Sequence, residues 1–451
     1  MKKRIFALLL AALMCLSLTS AALAALAGDI DGDGKVTASD ARLALRAAVD
    51  LETLTAEQTK LADADRDDKI TASDARLILR AAVGLEELPP AEEEPEPYDE
   101  GFDYDAIPDE PASETGVYEI AYVSDSAEVK DHGFNEDAWN GVKRFSSENG
   151  KTYKYYIPQN AEEAYDADYI AALNAAIENG AKIVVVAGFM FDVALNEVAP
   201  AHPDVQFIFM DGYTLADGDG SLIENVLPVT FKEDHAGFLA GYAAVKEGLT
   251  KLGFYGGGGG MSPGVNRYGF GYLQGINAAA KELGVTVELK YTTKYAFFSA
   301  SPEIEALAGE LYAGGTEAIM SCGGGIVESI RAAAEAADKL VIGCDSADFV
   351  NNYECFMTAA CKDFCGAVQS ALKLCYEGKA ADYAESGMVV GVEEGGVCLP
   401  TKVWRMNTFT RAQYEAFLAD CRDGKYEISS DYEADFEAAA YRTNVTVTVI
   451  D

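Results

Sequence analysis

Histidine is almost missing from this chain: His132, His202 and His235 are the only three in 451 residues. No Cys-x-x-Cys pair occurs among its nine cysteines, so the sequence lacks the ligand spacing of a zinc site. Basic residues are also few. Lysine and arginine number 35 against 74 aspartates and glutamates, a formal net charge of −39. Such a chain does not bind nucleic acid or an anionic membrane surface through bulk electrostatics. Beyond the amino terminus no apolar run is long enough to span a bilayer. The Gly-x-x-x-x-Gly-Lys-Ser/Thr phosphate loop is missing too.

What is present begins with a secretory signal pattern over residues 1–27. Lys2, Lys3 and Arg4 open it, Ile5 to Leu18 form its apolar middle, and Ala25-Leu26-Ala27 offers small residues for cleavage. Met14 precedes Cys15 where a lipid-accepting cysteine wants a small residue, so Cys15 reads as part of the apolar run. The mature chain is expected to be secreted, extracellular or associated with the cell surface. Its eight cysteines all lie in the last third. Cys322 and Cys344 fall in apolar strand patterns. Cys361 and Cys365 stand one helical turn apart, which favours a shared helix face over a disulfide.

Residues 28–88 hold an internal repeat with a period of 34. Asp29-Ile-Asp31-Gly-Asp33-Gly-Lys35-Val-Thr37-Ala-Ser39-Asp40 recurs as Asp63-Ala-Asp65-Arg-Asp67-Asp68-Lys69-Ile-Thr71-Ala-Ser73-Asp74, each followed by a nearly identical helix. Carboxylates at loop positions 1, 3, 5 and 12, with a hydroxyl at 9, make an oxygen cage for Ca2+. Two such sites are expected, one from Asp29, Asp31, Asp33, Lys35 and Asp40, the other from Asp63, Asp65, Asp67, Lys69 and Asp74. Lys35 and Lys69 stand where such loops offer a backbone carbonyl. Two acidic helix caps would explain Asp40 and Asp74 but not the 1-3-5 spacing. The repeat resembles a type I dockerin, the module that docks onto cohesin domains of surface scaffolds. That resemblance implies a cohesin partner, met by Ala38, Ser39 and Arg46 with Ala72, Ser73 and Arg80; the two arginines could equally be solvated helix residues. Asp68 departs from the family, which usually has glycine there. Residues 89–116 are acidic and proline-rich, a linker expected to hold the repeat module clear of the larger carboxyl-terminal portion.

Residues 117–451 alternate strand and helix patterns. Apolar runs at 118–124, 152–157, 182–187, 205–210, 251–256, 285–291, 317–322, 339–344 and 387–392 read as strands, with helical periodicity between most of them. Alternation of this kind argues for parallel sheets covered on both faces. Asn225–Thr230 is extended with no turn after it and reads as a crossover between two lobes.

Ligands of open α/β sheets bind at the carboxyl ends of strands. Five strand-end turns are candidates: Asp131–Gly141, Ala187–Asp192, Tyr255–Tyr268, Ser321–Gly325 and Gly343–Ser346. Phe134 offers a flat face and Asn135 both a donor and an acceptor. Equally, Gly133 makes the turn while Phe134 staples and Asn135 caps the helix. The glycine run 256–260 invites a dinucleotide reading, yet no clean acidic residue ends the next strand. A Ser-His-Asp set or a glycosidase carboxylate pair stays open on composition, although acidity alone is no evidence for the latter.

The order of these turns resembles the basic membrane protein family, substrate-binding proteins of the purine-nucleoside-receptor type that serve ABC importers. The residues carrying the resemblance are Asp131–Gly141, Pro203–Asp211, Phe231–Gly241, Val265–Gly275, Val341–Asp345, Lys362 and Gly395–Val397. It implies an α/β, two-lobed periplasmic-binding-protein-like fold of type I, preceded by the small all-α calcium-binding module. It implies ligand hydrogen bonds from Asn135 and Asp345 with Lys362 beside them, and aromatic contacts from Phe134 and Tyr268. Backbone contact would come from Gly324 or Gly325, and Asp192 is a candidate for reading the base. Tyr268 stands where phenylalanine is usual. The expectation is a non-catalytic receptor for a small, nucleoside-like ligand, working with ABC transporter membrane subunits. A sugar or other nutrient receptor of the same fold is the alternative, and a scaffold-borne carbohydrate-active enzyme the reading from another class.

Overall fold

The computed structural model describes residues 28–451 except 33, 50, 53, 65–68, 86–87, 89–101, 114, 126–128, 131–132 and 161–163. The signal pattern, half of the linker, Asp33, Asp65, Asp67, Asp131 and His132 lie outside the described residues. The chain divides into two units, 1–96 and 97–451.

Among the described residues the first unit has three helices, α1 (Ala38–Ala47), α2 (Ala56–Ala62) and α3 (Ala72–Ala82). The repeat explains the likeness of α1 and α3. Thr37 accepts from Ser39 N–H while Asp40 accepts from Thr37 N–H, and Thr71 and Asp74 do the same 34 residues later. Ile30, Ala44, Ala62 and Ile78 fill the small core. Arg46 and Arg80 turn back onto the carbonyls of Leu51 and Leu85.

The second unit is two lobes, each a sheet covered by helices. In chain order the first lobe is built from β1 (Ile120–Val123), α4 (Phe134–Glu148), β2 (Tyr153–Tyr156), α5 (Asp166–Glu178), β3 (Ile183–Ala187), α6 (Asp192–Ala201), β4 (Gln206–Met210) and β5 (Val226–Phe231). The chain then crosses to α7 (Glu233–Lys246), β6 (Lys251–Gly256), α8 (Pro263–Leu283), β7 (Val287–Thr292), α9 (Pro302–Ala313), β8 (Ala318–Cys322), α10 (Ile326–Ala337), β9 (Leu340–Asp345), α11 (Asp348–Asn352) and β10 (Phe356–Lys362). It returns with α12 (Phe364–Tyr376) and β11 (Met388–Val390), and crosses again to β12 (Val397–Cys398), α13 (Arg411–Arg422), α14 (Tyr432–Asp435) and β13 (Val445–Val449). Strand order is β11-β5-β4-β3-β1-β2 in one sheet and β12-β10-β9-β8-β6-β7-β13 in the other. All described pairings between these strands are parallel except β10 with β12.

Runs such as Ile183-Val-Val-Val-Ala187 are apolar throughout because both faces of a parallel sheet are buried. In the second lobe α7 and α8 pack backbone to backbone. A Cβ at Gly237, Gly241, Gly271 or Gly275 would overlap main-chain atoms of the facing helix, so only glycine permits that approach.

Three crossovers join the lobes: 231–233, 362–364 and 390–397. Lys232 N–H donates to Val390 O at 2.9 Å and Asp363 N–H to Gly396 O at 2.8 Å, which ties the three together. Lys232 and His235 also both reach Glu393, at 3.2 and 3.4 Å.

Three expectations need correction. Asn225–Thr230 is no crossover but most of β5, paired with β4 and β11; the chain leaves the lobe only after Phe231. Cys361 and Cys365 share no helix, since Cys361 lies near the end of β10 and Cys365 in the first turn of α12. The linker does not extend to Gly116. Pro108 O accepts from Tyr153 OH at 2.7 Å, Asp109 from Trp139 Nε1 at 3.1 Å and Lys143 Nζ at 2.9 Å, and Glu110 from Tyr155 OH at 3.1 Å. Acidic residues that read as solvated spacer here satisfy donors of α4 and β2.

Candidate functional site

The site is assembled where strands of both lobes end. Met210 closes β4, and Asp211 follows it with left-handed backbone (φ 52°). Asp345 closes β9 in the other lobe and is left-handed too (φ 64°). Lys362 ends β10 at the second crossover, buried, and its ammonium donates to both oxygens of Asp211 at 3.0 and 2.9 Å. Glu233, at the start of α7, lies 3.2 Å from the same nitrogen and Asp345 3.8 Å. The rings of Phe231, Tyr268 and Phe364 surround it, with centroids 5.3–5.6 Å away. Arg267 holds the other side of Glu233, at 2.7 Å.

The electrostatics follow from that packing. Burial alone would lower the Lys362 pKa, but Asp211, Glu233 and Asp345 outweigh it, so the ammonium is held above its ordinary value. Burial lifts the Asp211 carboxyl to about 6, partly countered by Lys362. Glu233 is deeply buried as well, yet Lys362 and Arg267 overcome the desolvation and hold it below the usual carboxylate range.

Four of the residues singled out from sequence converge here. Tyr268, buried, donates its hydroxyl to Asp345 at 2.9 Å, and Asp345 lies beside Lys362. Phe134 joins them through Phe364, 5.8 Å away ring to ring. Asn135 is also buried, but its amide serves its own lobe: Oδ1 accepts from Tyr122 OH at 2.7 Å and Ser124 OH at 3.1 Å, and Nδ2 donates to Asp125 at 2.9 Å. Asp192 accepts from Tyr213 OH at 2.6 Å. Gly324 and Gly325 are exposed after β8, next to the Phe298 carbonyl. Tyr268 therefore offers an anchored hydroxyl instead of an open ring face.

Asp125, Asp211, Glu233 and Arg267 were not singled out. One signal was available for the first two: like Asp345, each is an aspartate at or just past the end of a buried strand. Glu233 and Arg267 carry no local signal, because their pairing depends on α7 meeting α8. The stretch Gly260-Met-Ser262-Pro-Gly264 has the spelling of a hydrolase nucleophile elbow, a further motif not recognised in the sequence. Its context is different. Ser262 lies well beyond the end of β6 on extended backbone (φ −85°, ψ 116°), and its hydroxyl accepts from Val265 N–H as the cap of α8.

In the first unit, oxygens of Asp29, Asp31 and Asp40 lie within 4.8 Å of one another. Asp40 is fully buried and accepts from the N–H groups of Ile30, Asp31 and Thr37. Asp74 repeats the arrangement with Ala64 and Thr71 N–H. Three like charges so close suit a divalent cation with oxygen ligands.

A family described as ABC transporter substrate-binding protein PnrA-like matches residues 119–417, and the type I dockerin domain matches residues 27–81. The chain is similar to the ABC transporter nucleoside-binding protein BmpA of Lactococcus lactis, 29% identical over 238 residues, which cover 50% of this chain and 63% of that protein. It is similar to the CD4+ T-cell-stimulating antigen of Listeria monocytogenes, 28% identical over 229 residues, 49% of this chain and 59% of that one. The chain thus spans about three fifths of the length of these relatives. Among solved structures, ABC transporter solute-binding proteins from Conexibacter woesei and Aeropyrum pernix superpose with TM-scores of 0.53 and 0.51 at 20% and 21% identity. Each covers 70% of this chain, and 99% and 88% of the respective neighbour. At that identity they show the fold alone.

Proposed function

The chain belongs to the PnrA-like family of ABC transporter substrate-binding proteins, and from that premise we propose that it is an exported, non-catalytic receptor for a purine nucleoside. It delivers this ligand to the membrane subunits of an ABC importer. The observation that carries the reading is Lys362, buried where the lobes meet and shared between Asp211 of one and Asp345 of the other. A two-lobed protein with charged groups from both lobes at its junction is suited to closing over a polar ligand. Asp345 is partly exposed and accepts hydrogen bonds, as a ribose diol requires. Phe134, half-buried, offers an apolar ring for a base, with the buried ring of Phe364 packed behind it. A nucleoside-binding relative supports the ligand class.

The amino-terminal repeat, on this reading, binds two Ca2+ ions and tethers the receptor to a cohesin of a surface scaffold. Asp29, Asp31 and Asp40 would hold the first ion and Asp63 and Asp74 part of the second set. If the tether takes the place of a lipid anchor, removing residues 29–88 releases the receptor from washed cells without changing its ligand affinity.

Titration calorimetry of the purified chain with adenosine, guanosine, inosine and a panel of simple sugars tests the ligand. Heat from a nucleoside alone supports the assignment. Tight binding of a sugar, with no nucleoside heat, would replace nucleoside by sugar while keeping the receptor. Turnover of any panel member would overturn the receptor reading.

A further inference from the structure

Cys361 and Cys398 sit directly opposite one another on the antiparallel strands β10 and β12. Neither belongs to the charged cluster around Lys362. Two residues along the same ladder, Asp363 N–H donates to Gly396 O, so Asp363–Gly396 is a hydrogen-bonded pair. Alternation then makes Cys361–Cys398 another, with α-carbons about 5.5 Å apart. Disulfides span α-carbon separations of roughly 4.4–6.8 Å and β-carbon separations of roughly 3.5–4.5 Å, so this pair, with β-carbons towards the upper end of about 4.5–5.5 Å, closes with a small inward shift of the edge strand β12. Opposed residues project from the same face of a sheet, and both side chains pack in the same core cluster. They also share a neighbour. The Tyr414 hydroxyl is made a weaker acid first by its burial, then by the nearby thiols of Cys398 and Cys361.

We propose that Cys361 and Cys398 form a reversible disulfide, a staple at the root of the second and third crossovers. Cys361 immediately precedes Lys362, and Cys398 follows the crossover that ends at Val397. The bond fixes β12 to β10 where the chain leaves for the other lobe. Access comes through Cys398, which lies on a two-residue edge strand and is 9% exposed, whereas Cys361 is fully buried. With a low-molecular-weight disulfide as oxidant, the Cys398 thiolate attacks one sulfur and expels a small thiolate. The Cys361 thiolate then attacks the Cys398 sulfur and expels the second. Two protein thiols and one small disulfide become one protein disulfide and two small thiols. The proposal is independent of which ligand the cleft takes.

The test is mass mapping of the full-length chain. The protein is incubated with oxidised glutathione, with and without mild urea to open β12, then alkylated and digested without reductant. The expected product is a peptide pair joining residues 361 and 398, lighter by two hydrogens and separated by dithiothreitol. The thermal midpoint should rise on oxidation in the wild type and not in Cys398→Ser. Cys361→Ala should likewise lose the rise; if that buried substitution prevents folding, the wild-type map and Cys398→Ser decide. Alkylation of both residues after oxidation in urea, glutathione adducts alone, or a bridge such as Cys322–Cys344 in its place would each overturn the proposal.

Discussion

Asp211 and Asp345 mirror one another across the lobe junction: each follows or ends a strand, each is left-handed, and each turns a carboxylate towards Lys362 Nζ, at 2.9 and 3.8 Å. Left-handed backbone costs a non-glycine residue about 1–2 kcal/mol. Such positions persist where the surroundings over-determine them and concentrate at functional sites.

Lys362 is therefore the residue whose loss should be felt most. Lys362→Met leaves Asp211 and Glu233 without their shared cation, and breaking a buried pair in this way costs about 3–5 kcal/mol. Urea unfolding should show that loss. Adding Asp211→Asn and Glu233→Gln to the same variant should recover part of it. Independent, additive losses would mean that the three groups are not coupled.

The proposed ligand role of Asp345 separates from its structural one. Asp345→Asn keeps size and shape but removes the charged acceptor. A hydrogen bond to a charged group contributes about 1.5–3 kcal/mol, so nucleoside affinity should fall on the order of tenfold to a hundredfold. Calorimetry measures this directly. A variant that binds as tightly as wild type would leave Asp345 as a purely structural strand end.

Tyr268 should behave as an anchor and not as a stacking platform, because its ring is buried against Lys362. Tyr268→Phe removes one hydrogen bond to Asp345, and the stability change should be about 1–3 kcal/mol. Tyr268→Ala should cost about 3–5 kcal/mol through the cavity it leaves. Equal losses of stability from the two would show that the hydroxyl carries the whole contribution.

The second crossover should register pH through Asp363. This carboxylate caps α12, accepting from Gly366 N–H at 2.7 Å, and burial lifts it from the usual 3.8 to about 6. A group that binds its proton more tightly when folded makes the fold less stable as pH rises through that window. Stability should thus fall between about pH 4 and pH 6, and Asp363→Asn, which keeps the cap, should flatten the fall. Asp211, also raised to about 6, acts in the same direction. A pH profile unchanged in both Asp363→Asn and Asp211→Asn would locate the titration elsewhere.

For the amino-terminal unit, circular dichroism should show helix gained with calcium and lost to chelator. Asp40→Ala removes both a proposed metal ligand and the acceptor for three backbone N–H groups. It should abolish the calcium response of its half of the repeat. Full helicity in excess chelator would count against calcium-dependent folding.

Much of this architecture was legible because parallel strands announce themselves. Ile183-Val-Val-Val-Ala187 and Gln206-Phe-Ile-Phe-Met210 could hardly be anything but buried strands. β10 was missed, since Thr358-Ala-Ala-Cys361 has little strand character and its place is set by β9 alongside. The carry-over of Asp345 and Lys362 rested on family resemblance. Their partner Asp211 had only the weak signal of an aspartate just past a buried strand, and Glu233 had none, because contacts across more than a hundred residues of chain depend on how three crossovers bring two sheets together. Asn135 was legible as important but not as what it is here, a brace between Tyr122, Ser124 and Asp125.

The final strand has a practical consequence. β13 pairs along nearly the whole of β7, from Val445 with Val287 to Val449 with Tyr291, yet it lies beyond the family match, which ends at residue 417. A fragment trimmed to the family boundary would bare the backbone of Val287–Thr292, a row of unsatisfied donors and acceptors flanked by Val287, Leu289 and Tyr291. Exposed strand edges of that kind recruit other chains. Such a fragment should self-associate, and that insolubility would say nothing about the lobes themselves.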